Sequence, residues 1–203
     1  MREQKGQQTT LFGWALLLVA LALASISGHS MALEVPVLSL AEAAKKLSAG
    51  GYVLMMRHGV TEGGVGDPPG FTLDDCKSQR NLSTEGRAQL KRFGDAIKAA
   101  GIRVDDVASS EWCRCKETAD LVFGKHTSWS ALNSFFSSVK RTELQQSAEL
   151  RAVLAYVKAP KNAVWVTHQV NITALTGFVP AMSEVLAVRW QKDKVIAEFR
   201  FAQ

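Results

Sequence analysis

Tyr52-Val53-Leu54-Met55-Met56-Arg57-His58-Gly59 starts as an apolar run and ends in two basic residues and a glycine. A run that short reads as a buried strand rather than a helix. Two other stretches are built alike. Residues 104–109 read as a strand leading into Ser109-Ser110-Glu111-Trp112-Cys113-Arg114, and residues 163–166 as a strand leading into Thr167-His168. Helical patterns separate them. Ser83 or Thr84 caps a helix reaching about Ala100, with Leu90, Phe93 and Ile97 on one face and Gly101 beyond its end. Residues 111–123 read as a second helix, closed by Gly124. Residues 142–158 read as a third, with Leu144, Leu150, Val153, Leu154 and Val157 on its apolar face and Pro160 after it. Strands alternating with helices predict an α/β three-layer sandwich, a mostly parallel central sheet with helices on both faces. In such sheets ligands bind beyond the carboxyl ends of the strands. Those ends carry two histidines and two arginines: Arg57, His58, Arg114 and His168.

The remaining segments frame this core. Ser39-Leu40-Ala41-Glu42 is a capping box, and Gly50-Gly51 stops the helix it opens. Residues 61–79 are glycine- and proline-rich and read as a flexible loop; Gly63-Gly64-Val65-Gly66 lacks the Gly-Lys-Ser/Thr ending of a nucleotide loop. Residues 125–140 are serine-rich, poorly periodic, and read as loop. Asn171 reads as the cap of a short helix stopped by Gly177 and Pro180. Residues 184–190 and 195–201 alternate as a hairpin around Gln191-Lys192-Asp193.

The chain has 203 residues, 47% apolar and 21% charged, which fits one globular domain. Its net charge of +5 is modest and not gathered into a tail or stripe, which argues against nucleic-acid binding. Arg2 and Lys5 precede an apolar run from Leu11 to Ile26, and no charged residue occurs from Leu11 to Leu33. That reads as a signal peptide over 1–32, with Ser30-Met31-Ala32 as its cleavage site and a domain over 33–203. The protein is then periplasmic or otherwise exported, and touches a membrane only if the segment stays uncleaved. In an oxidising compartment Cys76 is expected to bond to Cys113 or Cys115, which are too close together to pair with each other. A Cys-x-Cys with only His126 as a further partner is too small a set for zinc, so no metal is expected.

Two arginine forks beside two histidines suit a phosphate monoester: guanidinium binds phosphoryl oxygens in a plane, and a neutral imidazole attacks phosphorus. In this set Arg57 and Arg114 hold phosphate, His58 is the nucleophile, and His168 donates to the same phosphoryl group. The helix opening after Ser110 offers free N–H groups to the anion.

The same residues resemble the histidine phosphatase superfamily, which includes the phosphoglycerate mutase-like enzymes. Arg57-His58-Gly59 looks like its Arg-His-Gly box. Ser109-Ser110, Arg114 and Thr118-Ala119 look like its Ser-Ser-x-x-x-Arg-x-x-x-Thr-Ala segment. Thr167-His168 looks like its second histidine motif, and Leu82-Ser83-Thr84-Glu85-Gly86 its Leu-Thr-x-x-Gly helix start. The resemblance implies a phosphatase acting through phospho-His58 on a small phosphate ester, without cofactor. Likeness to compact exported members points to phosphosugars of the cell envelope.

Two departures matter. Many members place a glutamate proton donor after Leu-Asn, where this chain has Leu132-Asn133-Ser134. Others place aspartate after the second histidine, where it has Gln169. The acid is therefore sought in the glycine-rich loop, at Glu62 ahead of Asp67, Asp74 or Asp75. The missing acid also sustains an alternative, a phospholigand-binding protein that keeps the pocket without turnover.

Overall fold

A computed structural model describes residues 34–136 and 141–203. The expected signal segment 1–32 and residues 137–140 of the serine-rich loop lie outside the described residues. The elements are α1 (Leu40–Leu47), β1 (Val53–Arg57), α2 (Thr84–Ala99), β2 (Asp106–Ser109), α3 (Cys113–Phe123), β3 (Thr127–Ser128), α4 (Glu143–Leu154), β4 (Ala163–Thr167), α5 (Gln169–Thr176), β5 (Val185–Gln191) and β6 (Lys194–Phe201), with 3-10 turns at Cys76–Ser78 and Ser130–Leu132. The strands form one sheet in the order β3-β2-β4-β1-β5-β6. The first four are mutually parallel, and β5 and β6 add an antiparallel hairpin at one edge. No helix of the described residues is long and apolar enough to cross a membrane.

Side-chain alternation sorts the core into two layers. Leu54, Met56, Val164 and Val166 face Leu47 of α1, Leu90 and Phe93 of α2, and Ala119 and Val122 of α3. Val53, Met55 and Trp165 face Leu150 and Leu154 of α4 and Ile172 and Leu175 of α5. Both faces of β1 and β4 are thus covered, which is why their sequences are continuously apolar. Each fully buried side chain of this size contributes about 1.5–3 kcal/mol.

Register places the site. Arg57 pairs with Thr167 and Ser109 with Val166, so three strands end level with one another. The ladder continues one residue further: the His58 N–H donates to the Thr167 carbonyl at 3.0 Å, and the Ser110 N–H to the Val166 carbonyl at 2.9 Å. Ser83 caps α2 by accepting from the Gly86 N–H at 3.0 Å. A Cβ on Gly86 would sit 2.2 Å from the Val60 carbonyl oxygen, so this glycine lets α2 close against the turn that carries His58.

Several expectations change. The 125–140 segment is not all loop, because β3 adds two residues to the sheet edge. The third helix ends at Leu154 rather than 158, and its buried stripe is Gln146, Ser147, Leu150 and Leu154, while Leu144 and Val153 are exposed. Its orientation is set by a polar contact: Gln146 donates to the carbonyls of Ala131 and Asn133. Asn171 caps nothing; it is buried inside α5 and donates to the Asn133 carbonyl at 3.0 Å.

Candidate active site

His58 leaves the end of β1 and is 3% exposed. Its Nδ1 lies 2.9 Å from the Gly59 carbonyl oxygen, which can only accept, so Nδ1 carries the proton and Nε2 keeps a lone pair. The turn is pinned from α3: Thr118 Oγ1 accepts from the Gly59 N–H at 3.0 Å and donates to the Arg114 carbonyl at 2.7 Å. This chain of bonds explains the spacing from Arg114 to Thr118. Burial, and next the Arg114 charge, push the His58 imidazole down to about 3, so it is neutral at ordinary pH.

Three arginines surround it. Arg57, Arg80 and Arg114 line one cavity of about 230 Å³ together with His58 and His168. Arg57 donates Nη1 to the Pro180 carbonyl and Arg80 donates Nη1 to Thr61 Oγ1 and the Gly64 carbonyl. The buried Nε atoms of all three meet no partner among the described residues. Unpaired buried donors are costly, and three arginines lining one cavity fit an oxyanion. Arg114 forks onto Asp67, Nη1 to Oδ1 at 2.7 Å and Nη2 to Oδ2 at 3.2 Å, with both side chains almost fully buried. Asp67 also accepts from the Arg80 N–H and the Trp112 indole, both at 3.0 Å. Burial alone would raise its carboxyl, but the Arg114 fork and these donors outweigh it and hold the group below the usual carboxylate range. The lining thus has three guanidinium charges against one carboxylate.

His168 follows β4 and is 4% exposed. Its Nε2 lies 3.0 Å from Ser110 Oγ and 3.5 Å from Cys115 Sγ. Nδ1 makes no hydrogen bond among the described residues. The Ser110 hydroxyl donates to the Asn133 amide oxygen at 3.1 Å, which also accepts from the Glu111 N–H at 2.8 Å, so Ser110 Oγ accepts from His168 Nε2–H. Burial, then the neighbouring His58 and the arginines, hold the His168 imidazole well below its ordinary value. The two histidine rings stand edge to face with centroids 5.5 Å apart, and Trp112 walls His168 at 5.2 Å.

The structure thus brings Arg57, His58, Arg114 and His168 together, as expected. Glu62 is a correction. The antiparallel bridge of Thr61 with Leu82 and the Glu62 N–H bond to the Asn81 carbonyl set it in an adjoining groove with Gln79, Arg80 and Asn81, outside the His58 cavity. Asp74 is exposed, and Asp75 caps the turn at Cys76–Ser78. Asp67 is the loop carboxylate that reaches the cavity. The α3 N-terminus is also corrected: the Cys113 N–H is taken by buried Gln79 Oε1 at 2.9 Å. Arg80 also lines the cavity; in Gln79-Arg80-Asn81 nothing local distinguishes an arginine at the pocket mouth from a solvated one. Cys76 pairs with Cys113 (Cα–Cα 5.7 Å), and Cys115 is the buried free thiol, pushed by burial up to about 12. No group of three or more His, Cys, Asp and Glu is placed to hold a metal ion among the described residues. His126 instead pairs with Asp120.

Comparison with known proteins agrees with this geometry. Residues 53–134 match the sequence profile of the histidine phosphatase superfamily (branch 1). No curated protein matches the chain. Among solved structures, the protein histidine phosphatase SixA, complexed with tungstate, superposes with a TM-score of 0.51 at 17% identity, covering 74% of this chain and 96% of that one. Phosphoserine phosphatase from Entamoeba histolytica, in complex with phosphoserine, superposes with a TM-score of 0.55 at 14% identity, covering 73% of this chain and 95% of that one. At such identities the likeness is one of fold. With its Arg-His-Gly box, Ser-Ser and Arg114 inside the matched segment and its strands in this order, the chain carries the histidine phosphatase superfamily pattern over 53–134 on that superfamily's fold.

Proposed function

We propose that this protein is an exported phosphatase that hydrolyses small phosphate monoesters through a phosphohistidine on His58. The observation that carries the reading is His58, its Nδ1 held by the Gly59 carbonyl and its Nε2 without a partner among the described residues, in a cavity lined by three arginines and one carboxylate. A phosphate monoester brings nearly two negative charges, which the guanidinium excess matches. Arg57, Arg80 and Arg114 orient the phosphoryl group, and His58 Nε2 attacks phosphorus. As the ring becomes cationic, its Nδ1–H bond to the Gly59 carbonyl strengthens. His168 Nε2–H is held by Ser110, and the bound dianion favours protonation of Nδ1 as well, which then donates to a phosphoryl oxygen and stabilises charge that grows in the transition state. Water then cleaves the P–N bond. None of these steps routes through a metal or organic cofactor.

Export rests on the sequence of residues 1–32 and on the disulfide, which suits an oxidising compartment. Phosphosugars of the cell envelope are the substrate class we propose, from the likeness to compact exported members. A second reading, phosphate-ligand binding without turnover, draws on Ser134 and Gln169, which line the cavity and are not acids.

The test is hydrolysis of p-nitrophenyl phosphate, with chelator present, by the protein expressed as the full chain. Its mass after purification reports whether 1–32 is removed. We expect turnover that falls at least about 1000-fold in His58→Ala, with acid-labile phosphate trapped on wild-type His58. Phosphate binding with no turnover in either protein would favour the second reading.

A further inference from the structure

Asp67 is the only carboxylate among the described residues lining the His58 cavity, and its side chain is 1% exposed. It occupies the Arg114 fork, which has the shape to grip either a carboxylate or a phosphate. Asp67 fills the Nη1–Nη2 edge of Arg114, so a phosphate that takes that edge, beyond the free Nε–H, dislodges Asp67. The loop permits this. Built Cβ atoms at Gly63, Gly64 and Gly66 meet no atom within 4 Å, and Val65 among them is 94% exposed, so the side of this backbone away from the Arg80 bond to the Gly64 carbonyl is open. The Arg80 N–H and the Trp112 indole also donate to this carboxylate, each at 3.0 Å.

We propose that Asp67 is the proton donor to the leaving group, parked on Arg114 until a substrate phosphate takes that arginine. The proposal rests on the phosphohistidine reading above. The groups facing Asp67 are the Arg114 and Arg80 guanidiniums and the Trp112 indole, with the Cys115 thiol behind them and the two imidazoles across the cavity. Without the Arg114 fork, burial and an adjacent dianion both favour the neutral acid, and Asp67 takes up one proton from solvent. His58 Nε2 then bonds to phosphorus, the P–O bond to the leaving group breaks with its electron pair on oxygen, and the Asp67 proton passes to that oxygen to give the alcohol. In the second step Asp67 takes a proton from the attacking water, the P–N bond breaks, and inorganic phosphate leaves neutral His58 and protonated Asp67.

The experiment compares p-nitrophenyl phosphate, whose leaving group needs little protonation, with glycerol 2-phosphate, whose leaving group needs much. Asp67→Asn is expected to lower kcat on glycerol 2-phosphate by about 100-fold or more and on p-nitrophenyl phosphate by less than about tenfold. An equal loss on both esters, or no loss on either, overturns the proposal. Phosphohistidine trapping separates the two claims. If wild type forms phospho-His58 and Asp67→Asn keeps the wild-type ratio of rates, only the Asp67 assignment fails; if wild type forms none from either ester, both readings fall. Should Asp67→Asn not fold, wild type decides. Its kcat on glycerol 2-phosphate must fall as pH rises, with a limb absent from p-nitrophenyl phosphate, and identical profiles overturn the assignment.

Discussion

Burying two neutral histidines among three arginines makes the site a source of acid sensitivity. His58 has an ordinary value of 6.5 and a folded value of about 3. Between those values the unfolded chain binds a proton that the folded chain does not, so stability is full above pH 6.5 and is lost as pH falls toward 3. The slope is about 1.4 kcal/mol per pH unit for each histidine, and His168 acts in the same direction. From pH 6.5 to 5, His58 alone removes about 2 kcal/mol. Asp67 does not blur this window: its value is lowered from 3.8, so its contribution is lost only below about that pH. Urea unfolding at pH 7 and pH 5 is therefore expected to show a smaller loss in His58→Gln than in wild type, by about 2 kcal/mol. Equal losses would mean that the folded imidazole titrates normally.

At the level of elements, the loop from Thr61 to Arg80 is fastened to α3 at several points. The disulfide joins Cys76 to Cys113, next to Arg114, while Gln79 caps the Cys113 N–H and Phe71 packs on Trp112 at 5.8 Å. Closing a loop of 37 residues restricts the unfolded chain by about 4 kcal/mol on the chain-entropy estimate. Cys76→Ser with Cys113→Ser is expected to lose up to about that much and to weaken phosphate binding, because the Gln79 cap and the Arg80 backbone are tethered through the same bond. Cys115→Ser leaves this tether intact, and a loss of equal size there would contradict the assignment. The loop also marks where sequence reading stopped. Long apolar runs such as Val53–Arg57 and Ala163–Thr167 announce themselves because both faces are buried, and they carried Arg57, His58 and His168 to the right place. The grip of Asp67 on Arg114 spans 47 residues, and no local pattern encodes it. Gly63-Gly64-Val65-Gly66 therefore read as free chain and Glu62 as the acid. Strand β3, with two exposed residues, was too short to carry any periodicity.

The whole molecule is organised so that the carboxyl ends of the central strands collect what the chain disperses. Segments near residues 58, 80, 114 and 168 meet because β1, β2 and β4 are parallel and end in register. The cavity wall draws on both helical layers: Arg114 belongs to α3 on one face, and Gln169 and Val170 begin α5 on the other. An anion seated there bridges both layers, so its binding free energy appears in the unfolding of the full 35–203 unit. Inorganic phosphate at about 100 times its dissociation constant adds about 2.7 kcal/mol, which raises the melting temperature of a chain this size by about 5–10 °C. Calorimetry with and without phosphate should show one transition that moves as a whole. Arg114→Lys, which keeps a charge but loses the fork, should abolish most of the shift. A biphasic trace in which phosphate moves only one phase would show that the two layers unfold independently. An unchanged shift in Arg114→Lys would place the anion on Arg57 and Arg80 alone, leaving Arg114 as the anchor of Asp67 rather than a ligand of the phosphoryl group.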